Sequence, residues 1–582
     1  MRSLAQFFPP LKWLPKYGSD DLQGDLVAGF TVGIMLIPQG MAYALIAGLP
    51  PIYGLYASLL PLVLYALFGT SKQLAVGPVA MVSLLVAAGV APHASGDMGR
   101  YIELAVLLAF MVGVLQFAMG VARFGFLTNF LSHPVLSGFT SAAALIIGLN
   151  QLKHLLGIDL ARSSYVHEIL WGALQNMGAT NLTTLATGVG SIVILVGLKR
   201  WNKAFPASLV VVVISILTVW GFDLHKQGVR IVGSVPSGLP EMSAPSLAMG
   251  DLQTIWPTAL AIALVSFMES IAVAKVYASK NRYEVDANQE LIGLGLANIG
   301  GALLQSYPVT GGFSRTAVNA ESGAQTNLAG LISAGVIALT LLFLTPLFYY
   351  MPNAVLAAIV MVAVVGLIDV EEARFLWRVK RADFALMMTT FAATLGLGIE
   401  EGILVGVIVS LIVVIHRSSR PHSATMGRLP ETNTFRNVKR HAEALTRSDV
   451  VVYRMDASLY FANTSFLKDE IHQIMVEDPA LKQLVFDAYP VNDIDATGAE
   501  TLKEIIEDFH ESGYKFYFAG VKGPVMDVLK RAGVVDLVGE DHFFMEVHTA
   551  VEIVTDTNPQ FANGAQPAEP VPARPPTTHN ND

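Results

Sequence analysis

Apolar runs of nearly bilayer-spanning length recur from about residue 27 to residue 415, and that recurrence constrains the fold more than any other feature. Residues 102–121, 182–198, 209–220, 328–347, 354–368 and 403–415 are the clearest. A bilayer core takes about 20 residues of helix, fewer where the segment is broken or shielded. Backbone polar groups in lipid must be satisfied within the chain, so such runs are read as helices. Counted in this way there are roughly 14 segments, several of them short. Composition agrees: 53% of the 582 residues are hydrophobic and 14% are charged, whereas a soluble protein is about a quarter charged. The chain is read as a polytopic membrane protein.

Charge divides it. From Pro421 to the C-terminus 14 basic residues stand beside 25 acidic ones, against 23 and 21 in the remainder. A nearly neutral membrane part, 1–420, is therefore followed by an acidic soluble part. Lys12, Lys16, His416, Arg417 and Arg420 flank the first and last spans. The positive-inside rule then puts both termini in the cytoplasm and requires an even number of crossings. The expected location is a cell membrane, as in a bacterial inner membrane, with no cleavable signal pattern ahead of the first span.

Residues 421–448 read as a basic, polar linker. From 449 to 555 short strands alternate with helices: strands at 450–455, 481–489 and 514–520, helices at 498–513 and 523–534, the last opened by Pro524. That alternation implies a small α/β layered domain. The tail, 556–582, is rich in Pro, Ala and polar residues and is expected to be disordered. Cys is absent, the histidines show no HxxxH-type spacing, and the glycine-rich stretches show no Walker pattern. No metal, cofactor or nucleic acid is expected, and no nucleophile–base constellation suggests an enzyme.

Two membrane segments are interrupted in corresponding ways. In SKQLAVGPVAMVSLL (71–85) Gly77-Pro78 separates an extended stretch from a helix-like run, and in YPVTGGFSRTAVN (307–319) Pro308, Gly311 and Gly312 do the same. Proline lacks an N–H and suits a first helical turn, not a helix under way. Paired interruptions of this kind point to a transporter's midplane site. A helix that starts mid-membrane exposes free N–H groups and about +0.5 charge. Two such starts, near Pro78–Val79 and Phe313–Ser314, would form an anion cradle. Arg315 adds a full charge in the first turn of the second. At about 6 Å and an effective dielectric near 20, one such charge pair is worth roughly 3 kcal/mol. The alternative is that Arg315 snorkels to an interface or pairs with a structural carboxylate.

Glu269, in ALAIALVSFMESIAVAKVYASK, is the other candidate charge within the membrane. It reads either as an ion-pair partner of Lys275 or Arg315, or as a proton-coupling site. In the second case an ionised Glu269 would compete with substrate for Arg315, and its protonation would release the guanidinium. Gln39 and Tyr43, one helical turn apart after Pro38, could donate to an uncharged face of an oxyanion or serve helix–helix hydrogen bonds.

The stretch PIYGLYASLLPLVLYALFGTSKQLAVGPVA (51–80), with PQGMAYA before it and GGFSRTAVN after, resembles the signature of the SulP family of anion transporters. These are bacterial and plant sulfate permeases with mammalian relatives that include prestin and pendrin. The C-terminal part is similar to the STAS domain usually appended to them. The resemblance implies 14 helices in two inverted seven-helix repeats, divided into core and gate domains and usually dimeric. It implies an anion site made by Gln39 and Tyr43, by Val79 and Ala80 at the third helix, and by Ser314 and Arg315 at the tenth. Glu269 sits where proton-linked relatives carry a carboxylate. Sodium-linked relatives have Asp there and Thr one turn on, where this chain has Glu269 and Val273. In NDIDATGAETL (492–502), Thr497 occupies the position phosphorylated in soluble anti-sigma antagonists, although it could simply cap the helix.

The expectation is thus a secondary active transporter for a small inorganic or dicarboxylate anion: proton-coupled sulfate uptake by alternating access, in a homodimer, with a cytosolic partner at the STAS domain. The alternatives are a bicarbonate, chloride or dicarboxylate carrier or exchanger, and an anion-sensing receptor that signals through the STAS domain.

Overall fold

The computed structural model describes residues 7–129, 132–160, 163, 165–201, 206–477, 480–556 and 566–567. The chain forms two compact units that divide between Ser410 and Leu411.

In the first unit the main helices are α1 (Ser19–Ala47), α2 (Leu60–Phe68), α3 (Ala80–Val90), α4 (Met98–Val121), α5 (His133–Asn150), α6 (Leu182–Trp201) and α7 (Ala207–Gly221). A second set follows: α8 (Met249–Lys280), α9 (Ala287–Leu303), α10 (Phe313–Glu321), α11 (Leu328–Leu339), α12 (Asn353–Val365), α13 (Arg381–Leu397) and α14 (Ile399–Ser419). Among the described residues eight helical spans are long and apolar enough to cross a membrane, and three apolar helices are shorter. The run 328–347 is helical only to Leu339. It then widens into a π-turn at Thr340–Leu344 and tightens into a 3-10 turn at Thr345–Phe348.

Packing sorts these helices. α4 packs on α9 and α8, α2 on α9, and α1 on α11, whereas α5 packs on α13 and α12, and α6 on α12 and α7. One set is therefore α1–α4 with α8–α11, and the other is α5–α7 with α12 and α13; α14 crosses the division between the units.

α3 and α10 are half-helices. At about 1.5 Å per residue, the nine residues of α10 reach less than halfway through a bilayer core. Each is preceded by an extended arm, β1 (Val76–Gly77) and β2 (Thr310–Gly311), and the arms pair antiparallel with Val76 opposite Gly311. A two-residue ladder leaves much backbone unsatisfied, and buried unpaired groups are costly. Side chains of neighbouring helices supply the rest. Asn298 of α9 accepts from Val309 N–H at 2.8 Å and donates to its carbonyl at 3.1 Å. Ser270 of α8 accepts from Gly311 N–H at 2.7 Å, and Thr310 donates to the Ser266 carbonyl at 2.6 Å. On the other arm Thr316 accepts from Ala75 N–H at 3.1 Å, and Asn319 donates to the Gln73 carbonyl at 2.9 Å.

The second unit is an α/β sheet in the order β10 (Gln566–Pro567), β5 (Leu445–Thr446), β3 (Ser423–Arg428), β6 (Val450–Met455), β7 (Gln483–Asp487), β8 (Lys515–Ala519) and β9 (Phe543–Phe544), with β4 (Phe435–Asn437) on β3. Its centre is β6 (Val450–Met455), β7 (Gln483–Asp487) and β8 (Lys515–Ala519), all parallel, with β9 (Phe543–Phe544) beyond. Strand side chains alternate faces. Val451, Tyr453, Leu484, Phe486, Phe516 and Phe518 meet the helices α15 (Thr464–Glu477), α16 (Ala496–Glu511), α17 (Gly523–Arg531) and α18 (Val534–Val538). Val450, Val452, Val485 and Tyr517 meet Ala550 and Val554 of α19 (Val547–Asp556).

The segment read as a linker, 421–448, is corrected by the structure. It forms β3 (Ser423–Arg428), β4 and β5 (Leu445–Thr446), and β3 pairs antiparallel with β6, burying Ala424 and Met426. Sheet pairing, which sequence periodicity does not register in so polar a strand, decides its state. The tail beyond Asp556 lies outside the described residues, apart from Gln566–Pro567, which forms β10 against β5.

Candidate functional site

The half-helices start where Pro78 and Gly312 place them. Neither carries a side-chain cap, and the first ladder bonds run from Ser83 N–H to the Val79 carbonyl and from Thr316 N–H to the Gly312 carbonyl. The N–H groups of residues 80–82 and 313–315 therefore lie outside the helical ladders, and each start carries the positive end of its helix dipole.

Arg315 is 2% exposed and lies across these starts: its Nη1 donates to the carbonyl of Pro78, two residues ahead of α3. One guanidinium thus ties the first turn of α10 to the entry of α3. Its Nε and Nη2 are buried and have no hydrogen-bond partner among the described residues. Gly77 and Gly312 make the space. A Cβ on Gly77, whose φ is +153°, would come 3.4 Å from Nη2, and one on Gly312 would come 3.0 Å from it.

All seven expected membrane-site residues line a single cavity of about 940 Å³: Gln39 and Tyr43 from α1, Val79 and Ala80 at α3, Glu269 from α8, and Ser314 and Arg315 from α10. Each belongs to the α1–α4/α8–α11 set, while Leu136 of α5, Ala207 of α7 and Ile359 of α12 supply the opposing wall. The residues expected from sequence thus sit on one set, and the other side contributes Thr140, Lys199, Ser208, Asp369 and Glu371 beside its apolar lining. Glu269 makes no ion pair among the described residues. Its Oε2 and the Gln39 Oε1 are buried without a partner, and Lys275 points outward as an exposed side chain. The ion-pair readings of Glu269 with Lys275 or Arg315 are therefore corrected: no such pair forms in this structure.

Lys199 near the end of α6, residues 206–208 at the start of α7, and residues 364 and 366–371 at the end of α12 and beyond it also line the cavity. Lys199, Glu321, Asp369 and Glu371 are charged lining residues that were not singled out from sequence. Each ends an apolar run or follows one, which looks the same as an ordinary interface flank. Asn298 and Tyr307 were also passed over; the fully buried Tyr307 shares a 3.2 Å hydrogen bond with Ser83 of α3.

In the second unit Thr497 is an exposed residue in the first turn of α16, and the cap is Asp495, whose Oδ1 accepts from Gly498 N–H at 2.7 Å. The capping role considered for Thr497 is thus filled by a neighbour.

Comparison with known proteins accords with this architecture. Residues 22–390 match the sulfate permease family, and residues 441–550 match the STAS domain. The chain is 44% identical over 563 residues to sulfate transporter 4.1, chloroplastic, of Arabidopsis thaliana, covering 94% of this chain and 82% of that one. It is 35% identical over 554 residues to the probable sulfate transporter Rv1739c of Mycobacterium tuberculosis, covering 94% and 98%. Its fold is similar to that of SLC26A9, with a TM-score of 0.87, 25% identity and coverage of 96% and 94%. The transmembrane domain of the cyanobacterial bicarbonate transporter BicA gives 0.58 at 25% identity, covering 68% and 98%. Its family is one of transporters, not enzymes: the chain, a multi-pass membrane protein with a C-terminal STAS domain, belongs to the sulfate permease family.

Proposed function

We propose that the chain takes up sulfate with protons by alternating access, holding the anion between the starts of α3 and α10. The observation that carries this reading is Arg315: a buried guanidinium with two nitrogens unpaired among the described residues, lining a cavity that two helix N-termini share. Backbone N–H groups, Arg315, and the hydroxyls of Ser314 and Tyr43 offer donors for a tetrahedral oxyanion, and Gln39 adds an amide. The relatives named as sulfate transporters favour sulfate over other anions. A bicarbonate carrier is the second reading, favoured by the likeness to the BicA transmembrane domain.

Because the site residues share one helix set, that set carries the bound anion past the other, so the cavity opens alternately to the two sides. We assign the N-terminus and the C-terminus to the cytoplasm. The protein works as a homodimer, and its STAS domain binds a cytosolic partner, with Thr497 as a phosphate acceptor at the N-terminus of α16.

Glu269 couples the proton. Ionised, it competes with the anion for Arg315; protonated, it leaves the guanidinium to the substrate. In proteoliposomes, labelled sulfate uptake by wild type should rise with an imposed inward proton gradient, whereas Glu269→Gln should transport at a rate indifferent to that gradient. Uptake by Glu269→Gln that still followed the gradient would remove Glu269 from coupling. Binding without accumulation would identify a receptor.

A further inference from the structure

Four buried atoms around this cavity lack a hydrogen-bond partner among the described residues: Nε and Nη2 of Arg315, Oε2 of Glu269 and Oε1 of Gln39. They are not of one kind. A guanidinium only donates, an ionised carboxylate only accepts, a protonated one can donate, and an amide can turn either end to a ligand. The site therefore offers more than a positive pocket. It pairs fixed donors with one acceptor whose character depends on a single proton.

Sulfate carries four oxygens and no proton, so it accepts only. Against an ionised Glu269 its near oxygen would meet another acceptor, and two buried acceptors without a proton between them forfeit a hydrogen bond and repel. Monohydrogen phosphate has the same charge and the same tetrahedral outline but bears one O–H. That hydroxyl can donate to the carboxylate while the remaining oxygens take Arg315 and the helix N–H groups. The two anions differ, for this site, by one proton in one place.

The surroundings of Glu269 leave that proton to the ligand. Arg315 approaches from α10 and Tyr43 from α1, with Lys199 of α6 and Glu321 of α10 farther along the cavity. α3 presents no titratable side chain. In α4, Arg100, Tyr101 and Glu103 cluster at the start of the helix, where Arg100 pairs with Asp251 at the start of α8. Glu290 of α9 is fully occupied: it accepts from Tyr65 Oη at 2.7 Å, Thr70 Oγ1 at 2.6 Å, and the N–H groups of Thr70 at 2.6 Å and Ser71 at 3.1 Å. None of these supplies Glu269 Oε2 with a hydrogen bond.

We propose that Glu269 sets which oxyanion the site accepts by counting one proton. Protonated, it donates to a fully ionised tetrahedral dianion such as sulfate; ionised, it accepts from a hydroxyl-bearing one such as monohydrogen phosphate. This rests on the reading of the cavity as the anion site, and it makes the coupling carboxylate a specificity-determining residue as well.

The test is equilibrium binding of labelled sulfate to the purified full chain at a mildly alkaline pH where phosphate is the monohydrogen dianion. Unlabelled phosphate and selenate serve as competitors, for wild type and for Glu269→Gln. Selenate, which has no proton, should displace sulfate from both proteins, and the variant should bind it at least as tightly as wild type does. The amide of the variant still accepts through its oxygen but without charge, so phosphate, measured against selenate, should lose about fivefold, the difference between a hydrogen bond to a charged acceptor and one to a neutral acceptor. An unchanged phosphate-to-selenate ratio would overturn the proposal, and so would loss of selenate binding in the variant alone. A wild-type chain that bound neither sulfate nor selenate, at this pH or at an acidic pH that protonates Glu269, would instead refute the anion-site reading on which the proposal rests.

Discussion

Arg315 is held in a way that a purely structural arginine would not be. A buried charge ordinarily has its hydrogen bonds met, because leaving donors unpaired costs about 1–3 kcal/mol each. Here one donor meets the Pro78 carbonyl and two meet nothing among the described residues. On the proposed reading such a residue destabilises the empty protein and is stabilised by the ligand, the usual trade between stability and function at a binding site. Arg315→Gln should therefore raise the thermal unfolding midpoint of the sulfate-free protein by about 2 °C or more. It should also abolish the rise in midpoint that sulfate is expected to give wild type. Thermal scans of both proteins with and without sulfate make the comparison. A variant less stable than wild type in the absence of sulfate would mark the guanidinium as a packing element. Arg315→Lys keeps the charge but loses the planar fork that spans the entry of α3 and its ligand.

The half-helices depend on their arms, and the arms depend on side chains from α8 and α9. Asn298 engages both backbone groups of Val309, as a neighbouring strand would. Replacing it with Ala leaves a buried N–H and a buried C=O unpaired, a loss of about 2–4 kcal/mol. Asn298→Ala should accordingly lower the unfolding midpoint by several degrees and weaken sulfate binding, because the start of α10 loses its anchor. Unaltered sulfate affinity would show that α10 is held without it. The interruptions themselves are legible in the sequence, since proline and glycine act on their own backbone and announce a helix start at Ala80 and Phe313. What holds those starts is not legible. The partners of β1 and β2 are hundreds of residues apart or lie on other helices, and a buried Asn or Ser in an apolar run looks the same whether it clamps an arm or not. β6, β7 and β8 could be read from their continuous apolar runs, as strands buried on both faces can be. SATMGR, with two buried apolar side chains, could not, and β3 was mistaken for linker. Lys199 escaped for a related reason: a lysine closing an apolar helix reads as an interface anchor, although the residue lines the cavity.

The division of the chain into two units that part after Ser410 indicates where it can be cut. A truncation at 448 would leave β3, β4 and β5 without β6 and expose their edges, an invitation to aggregation. Ending the chain at Arg420, after α14 and ahead of β3, should instead give a membrane domain that folds and binds sulfate with wild-type affinity but transports at an altered rate. An unchanged rate would deny the STAS domain a regulatory role. Within the membrane domain, the proposed function places every anion contact on one helix set, facing the other across the cavity; on that reading transport is a movement of one set past the other and Arg315 is indispensable to the cargo. The most direct test is accumulation of labelled sulfate in proteoliposomes under an inward proton gradient, measured for wild type and Arg315→Ala side by side. The account predicts that wild type concentrates sulfate above the external level and that Arg315→Ala does not. Concentrative uptake by Arg315→Ala equal to that of wild type would contradict it.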